Sequence, residues 1–97
     1  MKGFGSELAY YKKVLEDTIR AVNLCYEKRY YEINVRRVRK CNAIPSSERS
    51  KINFISRALD DLTNLGYLKY IGKNSPKKYE ILKKLNINEI KDVMDLK

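Results

Sequence analysis

Residues 46–82 have the sequence SSERSKINFISRALDDLTNLGYLKYIGKNSPKKYEIL. The first half carries apolar side chains at helical spacing, and the second half has two aromatic and branched runs on either side of a turn. This order predicts a helix over about 47–65 and a β-hairpin over 67–82. The positions expected on the buried side of the helix are Lys51 (through its methylene stem), Ile55, Ala58, Leu59, Leu62 and Leu65.

The outward arc of this helix is sorted by charge. Arg49, Asn53 and Arg57 lie in its first three turns, whereas Asp60 and Asp61 come later. A helix arranged for its own stability has acids first and bases last, and each exposed charge in the opposite order costs about 0.3–1 kcal/mol. The order favours an anionic partner near the start of the helix, although an ordinary amphipathic helix would tolerate it.

The sequence after the helix contains every local feature of a β-hairpin. Gly66 stands where a left-handed residue commonly ends a helix. Strands are predicted over 67–71 and 77–81, with turn residues at 72–76 between them. The tip of the predicted hairpin carries the lysines Lys73, Lys77 and Lys78.

The run from Ile55 to Leu68, ISRALDDLTNLGYL, resembles the recognition helix and first wing strand of winged helix-turn-helix proteins. With the segment INVRRV at 33–38, the resemblance covers about residues 30–82. It implies an α+β fold with a three-helix core and a small antiparallel β-sheet wing, similar to small transcriptional regulators of archaea and archaeal viruses. The turn before the recognition helix is longer and more polar than in that family, so the helix start stays open between Ser46, Ser47 and Ser50.

The composition favours an anionic partner. Lys and Arg total 21 against 12 Asp and Glu, which gives a net charge of +9. Segments 28–57 and 67–84 carry +7 and +5, whereas the rest of the chain is neutral or acidic. Because the excess is confined to two segments, it marks one face. Nucleic acid is the first candidate for its partner and a membrane surface the second.

The length of 97 residues predicts one winged-helix domain spanning 1–97. No apolar run approaches the ~20 residues of a membrane span, and the N-terminus lacks the order of a signal peptide. We therefore expect no membrane partner and a cytoplasmic, nucleoid-associated location. Cys25 and Cys41 match no zinc pattern. Each is most simply a small buried side chain, with a disulfide or an intersubunit bridge as the alternative.

The N-terminal segment predicts a long helix over 6–28. Ser6 is the expected N-cap, with Glu7 in the first turn. One apolar stripe consists of Leu8, Tyr11, Leu15, Ile19, Val22 and Tyr26, and a second set consists of Tyr10, Val14, Ala21, Leu24 and Cys25. This doubled face indicates either a helix sunk across the core of one chain or a homodimer joined through the N-terminal helix.

Shorter elements flank the helix-hairpin segment. Residues 29–33 predict a strand that pairs with the wing, and Asn34 is expected to cap a brief helix. In that helix Val35, Val38 and Cys41 should point inward, and Arg36, Arg37, Arg39 and Lys40 outward. A C-terminal helix is predicted over 86–95, capped by Asn86 or Asn88. Its apolar face comprises Ile87, Ile90, Val93 and Met94, which should pack on the first helix or on a partner's copy of it.

The leading functional prediction is sequence-specific binding of double-stranded DNA, with the helix in the major groove and the wing on the backbone or minor groove. Arg49, Asn53 and Arg57 would read base edges. The expected phosphate contacts are Arg36, Arg37, Arg39, Lys40, Ser46, Ser47, Ser50, Lys73, Lys77 and Lys78. The alternatives are a winged-helix RNA-binding or ribosomal protein, an architectural DNA-binding protein and a protein-docking module.

An enzyme is not expected, and neither is a cofactor or a metal ion. The sequence has no His, no glycine-rich phosphate loop and no nucleophile motif around Ser or Cys. Asp60 and Asp61 are therefore expected to be solvated helix residues, or partners for Arg57 and Lys69, rather than catalytic carboxylates.

Overall fold

The computed structural model describes residues 2–72 and 77–94. Within them the strands form one antiparallel sheet in the order β1-β3-β2. The fold is therefore α+β, and its arrangement is compatible with the winged-helix-like architecture expected from the sequence. In chain order the elements are α1 (Lys2–Glu27), β1 (Glu32–Ile33), α2 (Val35–Cys41), α3 (Arg49–Asn64), β2 (Leu68–Gly72), β3 (Lys78–Ile81) and α4 (Ile87–Val93).

Helix α1 begins at Lys2, so the predicted N-cap at Ser6 and the first-turn position of Glu7 are wrong. A serine costs only a few tenths of a kcal/mol more than alanine inside a helix, and the α1 backbone continues through it. At its other end Arg29 adopts a left-handed conformation with φ of 64°. The N–H of Tyr30 then donates to the carbonyl of Cys25 at 2.8 Å. This turn closes the helix, and the predicted strand over 29–33 shortens to β1.

The second apolar set of α1 is largely buried within the same chain. Val14 is 3% exposed, Ala21 2% and Cys25 5%, whereas Leu24 remains 43% exposed. The helix thus crosses the core of a single chain, which is the simpler of the two alternatives. Among the described residues, no helix is both long enough and apolar enough to cross a membrane.

Strand pairing brings the two halves of the chain together. Ile33 lies opposite Tyr79, and Leu68 lies opposite Ile81. All four side chains are buried, because alternate residues of a strand point to the same face of the sheet. The predicted third strand of the wing sheet is therefore confirmed, because β1 pairs with the wing strand β3.

Helix α2 is capped as predicted: the Oδ1 of Asn34 accepts from the N–H of Arg37 at 2.8 Å. Val38 is fully buried and Val35 half-buried. Cys41 is exposed, so its predicted inward orientation is wrong. It is the last residue of a seven-residue helix, after which the chain turns at Ala43 with φ of 53°.

Both cysteines are free thiols in the structure, so Cys25 and Cys41 are not joined to each other, and a bridge between two subunits stays a prediction. Cys25 is buried as expected of a small apolar side chain. Burial raises the pKa of its thiol, and the neighbouring thiol of Cys41 acts in the same direction.

Helix α4 is also capped as predicted, by Asn86, whose Oδ1 accepts from the N–H of Glu89 at 3.0 Å. The helix spans Ile87–Val93, within the predicted 86–95. Ile90 is fully buried, but Val93 is 58% exposed, so its predicted place on the buried face is wrong. Val93 lies at the border of the apolar face of α4, outside the contact with α1.

Candidate nucleic-acid interface

The three predicted base-reading residues lie on one exposed strip of α3. Arg49, Asn53 and Arg57 are all exposed and follow one another at four-residue spacing, which places them on one side of the helix. Ser46, Arg49 and Asn53 line one shallow depression together with Ile52. The sequence therefore placed these side chains correctly relative to one another and to solvent.

The start of α3 differs from the sequence prediction. The helix begins at Arg49 with Glu48 in the cap position, and the Glu48 side chain makes no capping hydrogen bond. The N–H of Glu48 donates to the carbonyl of Pro45 at 3.1 Å, so a turn precedes the helix. Ser46 and Ser47 lie in this turn and Ser50 lies inside the helix, and all three side chains are exposed. None of them is the N-cap.

The end of α3 follows the sequence prediction closely. Gly66 has φ of +89°, the left-handed conformation that glycine adopts without steric cost. The N–H of Gly66 donates to the carbonyl of Thr63, and the N–H of Tyr67 donates to that of Leu62, both at 3.0 Å. This pair of hydrogen bonds forms a Schellman motif. It directs the chain from α3 straight into β2, so the hairpin follows directly after α3.

Two tyrosines flank α3 and bind its two acids. The hydroxyl of Tyr11, on α1, donates to the Oδ2 of Asp61. On the other flank the hydroxyl of Tyr79, on β3, donates to the Oδ1 of Asp60 at 2.5 Å. Burial and these hydrogen bonds raise the pKa of both phenols well above the usual range. The phenols therefore remain protonated donors at neutral pH.

These contacts correct the expectation for the two acids. Asp60 and Asp61 were expected to be solvated or to pair with Arg57 and Lys69, yet both are half-buried against tyrosines. The sequence predicts only a core position for Tyr11. Tyr11 and Asp61 are 50 residues apart in the chain, so no local pattern could have joined them.

Arg57 lies over the ring of Tyr11, with its guanidinium carbon 5.0 Å from the ring centroid. The ring of Phe54 packs edge-on against Tyr11 at 5.8 Å and against Tyr10 at 5.3 Å. Phe54 was absent from the predicted apolar face of α3. Its position at the border of that face is the signal that could have found it, because a helix packed on two sides buries a wider arc.

The wing carries two exposed lysines, one of which lies close to α3. Lys77 and Lys78 are both exposed, and the Nζ of Lys77 lies 3.9 Å from the Oδ2 of Asp60. The third wing lysine, Lys73, lies outside the described residues. Among the described residues of the wing, Lys77 is therefore the cation that lies close to the acidic end of α3.

The four cations of α2 divide into two pairs. Arg36 and Lys40 are exposed as predicted. Arg37 and Arg39 are half-buried, so the expectation that all four point outward is wrong for these two. The guanidinium of Arg37 lies 4.2 Å from the ring centroid of Tyr30. The Nε of Arg39 donates to a carbonyl in the turn before α3, that of Ile44, at 3.3 Å.

A concavity between the end of α1 and α2 gathers much of the remaining positive charge. Its lining residues are Leu24, Lys28, Asn34, Arg36, Arg37, Lys40 and Cys41. Four of these seven are cations and none is an acid. Lys28 was not among the predicted contacts. It is the first residue after α1, and only the packing of α1 against α2 brings it to this basic surface.

No protein family model matches this chain, and neither does any curated protein or solved structure. The function therefore has to be inferred from the chain's own geometry. That geometry presents a helix with an exposed Arg-Asn-Arg strip, a basic hairpin on one flank and an exposed basic surface on α2. Guanidinium, ammonium and amide groups in this arrangement suit the binding of phosphates and base edges.

Proposed function

We propose that this chain is a winged helix-turn-helix protein that binds double-stranded DNA in a sequence-specific manner, as a small transcriptional regulator. The observation that carries the proposal is the exposed strip of Arg49, Asn53 and Arg57 on a helix that leads directly into a basic hairpin. The element order and the β1-β3-β2 sheet are those that the winged-helix proposal requires.

The strip has the dimensions for base reading in the major groove. Eight residues separate Arg49 from Arg57, which corresponds to about 12 Å along a helix axis. At a spacing of about 3.4 Å per base pair, this length spans three to four base pairs. Arginine can bind guanine with two hydrogen bonds, and asparagine can bind adenine in the same way. Asn53 stands in the middle of the strip and supplies the adenine-type contact.

The phosphate contacts follow from the exposed cations and hydroxyls. We assign to the DNA backbone the side chains of Arg36, Lys40, Ser46, Ser47, Ser50, Lys77 and Lys78. Lys77 has to exchange Asp60 for a phosphate. An exposed ion pair of this kind is worth only about 0–1 kcal/mol, so the exchange costs little.

The remaining predicted contacts have different assignments. Arg39 is withdrawn from the phosphate set, because its Nε already donates to the carbonyl of Ile44. Arg37 stays in that set, because its contact with Tyr30 is through the ring face and leaves the N–H donors of the guanidinium usable. A phosphate contact by Lys73 stays a prediction, because that residue lies outside the described part of the chain.

The homodimer through α1 also stays a prediction. The second apolar set of α1, which suggests this dimer, is mostly covered within one chain, and Leu24 is the member of that set left exposed. A twofold dimer would present two copies of α3 about one DNA turn apart and would predict a palindromic site. A cytoplasmic, nucleoid-associated location likewise stays a prediction.

The decisive experiment is selection from a library of random duplexes, followed by binding measurements on the enriched sequence and on a scrambled one. We expect enrichment of a short motif. The variant Asn53→Ala should lower affinity for that motif about five- to a hundredfold, because one bidentate base contact contributes about 1–3 kcal/mol of discrimination. Affinity for the scrambled duplex should hardly change.

The matched control is Asn88→Ala, which removes an exposed asparagine from α4 and should change neither affinity. If no sequence is enriched, or if Asn53→Ala weakens both duplexes equally, base reading by α3 is wrong. Parallel binding to an RNA hairpin of similar length then separates the RNA-binding alternative from the architectural one, because only the former predicts that RNA is preferred.

A further inference from the structure

One aromatic ring touches both an acid and a base that lie one helical turn apart on α3. Tyr11 is 5% exposed and donates its hydroxyl hydrogen to Asp61, while its ring faces the guanidinium of Arg57 at 5.0 Å. Edge-on packing against Phe54 further fixes the ring. The three polar and aromatic groups thus form a single cluster at the edge of the exposed strip.

Arg57 and Asp61 would be natural partners without this ring. Residues four apart on a helix are neighbours, and oppositely charged pairs at this spacing attract each other. Within the described residues, however, the structure records no ion pair between Arg57 and Asp61. The carboxylate of Asp61 accepts from the phenol instead, and the side chain of Arg57 remains exposed.

The mode of contact matters for what Arg57 can do. A cation above an aromatic ring is attracted to the ring face, so the N–H donors in the guanidinium plane remain usable. An ion pair with a carboxylate would occupy those same donors, and they are the groups that grip guanine or phosphate in a bidentate manner.

We propose that Tyr11 is a positioning residue for Arg57: by binding Asp61 and supporting the guanidinium on its ring, it keeps the donors of Arg57 available to DNA. The part of this inference that concerns DNA rests on the proposed function. The part that concerns the competition between Tyr11 and Arg57 for Asp61 can be tested on the free protein.

The chain contains a matched control on the opposite flank of α3. Tyr79 donates to Asp60 as Tyr11 donates to Asp61, but the cation near Asp60 is Lys77, at 3.9 Å. Tyr79→Phe therefore removes a tyrosine-aspartate hydrogen bond from the same helix. Asp60 is three residues from Arg57, but it already has the ammonium of Lys77 beside it, so it should not turn to Arg57.

The first test follows the Nε–H resonance of Arg57 by NMR in the free protein. In Tyr11→Phe, Asp61 loses its donor and should pair with Arg57, which shifts that resonance downfield and slows its exchange with solvent. The double variant Tyr11→Phe/Asp61→Asn should reverse the shift, because no carboxylate remains. Tyr79→Phe should leave the resonance unmoved. An unmoved resonance in Tyr11→Phe, or a shift that the double variant retains, overturns the inference.

The second test measures binding to the selected duplex. Tyr11→Phe should weaken binding about two- to fivefold, the effect of a partly exposed ion pair that competes for Arg57. The double variant should bind within about twofold of Asp61→Asn. If Tyr11→Phe weakens binding in proportion to a lower melting temperature, and adding Asp61→Asn does not restore binding, Tyr11 has only a structural role and the inference is overturned.

The two proposals fail separately. If the wild-type protein enriches no duplex, the proposed function is wrong, and the NMR measurement still decides whether Tyr11 controls Arg57. If a duplex is enriched but the resonance of Arg57 does not respond to Tyr11→Phe, the proposed function stands and the positioning role is wrong.

Discussion

Asn23 binds the backbone of Leu85 in both directions. Its Nδ2 donates to the carbonyl oxygen at 2.9 Å, and its Oδ1 accepts from the N–H at 2.8 Å. This reciprocal pair ties α1 to the segment that enters α4. A second contact between α1 and α4 is the ion pair between Glu16 and Lys91. A seven-residue helix is unstable in isolation, so α4 depends on contacts with the rest of the chain, of which these are two.

We predict that Asn23→Ala lowers the free energy of unfolding by about 1–3 kcal/mol, because it leaves a partly buried backbone donor and acceptor without their partner. Urea unfolding followed by circular dichroism provides the measurement. Asn88→Ala, an exposed asparagine nearby, should change the value by less than about 0.5 kcal/mol. Equal effects of the two substitutions would contradict a structural role for Asn23.

Stability should fall in alkaline solution. Burial and hydrogen bonds to the acids of α3 raise the pKa values of Tyr11 and Tyr79 well above the ordinary range of a tyrosine. A raised pKa in the folded state stabilises the protein below the unfolded pKa, and this contribution is lost as the pH rises above about 10. Urea unfolding at several values from pH 8 to 11 should show a shallower decline in Tyr79→Phe than in the wild type. Parallel declines would show that the tyrosine is not responsible.

The wing lysines should control the salt dependence of binding. Each phosphate contact releases counterions, so the logarithm of affinity falls linearly with the logarithm of salt concentration. Replacing Lys77 and Lys78 by Ala should weaken all duplexes alike and flatten this slope by up to about two. Lys84→Ala is the control, because Lys84 pairs with Glu27 at the end of α1 at 2.9 Å. A slope unchanged by the wing substitutions would remove the wing from the interface.

Two arginines of α2 should have opposite phenotypes. Arg39→Ala removes the hydrogen bond to Ile44 and should lower the free energy of unfolding by about 1 kcal/mol. Arg36→Ala, at an exposed position, should weaken DNA binding and leave stability nearly unchanged. Thermal unfolding and DNA titration on both variants make the comparison. If Arg36→Ala destabilises as much as Arg39→Ala, the division of the α2 cations is wrong.

The predicted homodimer is best tested with two glutamate substitutions on α1. Val14→Glu buries a charge and should unfold the protein rather than dissociate it, because Val14 is 3% exposed. Leu24→Glu should leave the fold intact, because Leu24 is 43% exposed, and should give a monomer if α1 forms the interface. Sedimentation equilibrium at micromolar concentration decides, and a monomeric wild type would refute the dimer.

The sequence alone determined the local structure around the interface. Gly66 ends α3, and Asn34 and Asn86 cap α2 and α4, because each acts on backbone groups within about four residues. The periodicity of α3 likewise predicted its buried side, where Ile55 and Leu59 are fully buried. The exposed strip of Arg49, Asn53 and Arg57 follows from the same period, since a helix that buries one face must expose the other.

Tertiary packing decided which polar groups remain available to a partner. Sequence patterns could not show that Arg37 lies over Tyr30, because that contact depends on how the turn after α1 folds back. The pairing of Tyr11 with Asp61 arises only when α1 packs against α3, since the two residues are 50 positions apart. The sequence gives the charge of each side chain. Whether that side chain is already in contact with another group depends on neighbours from distant segments of the chain.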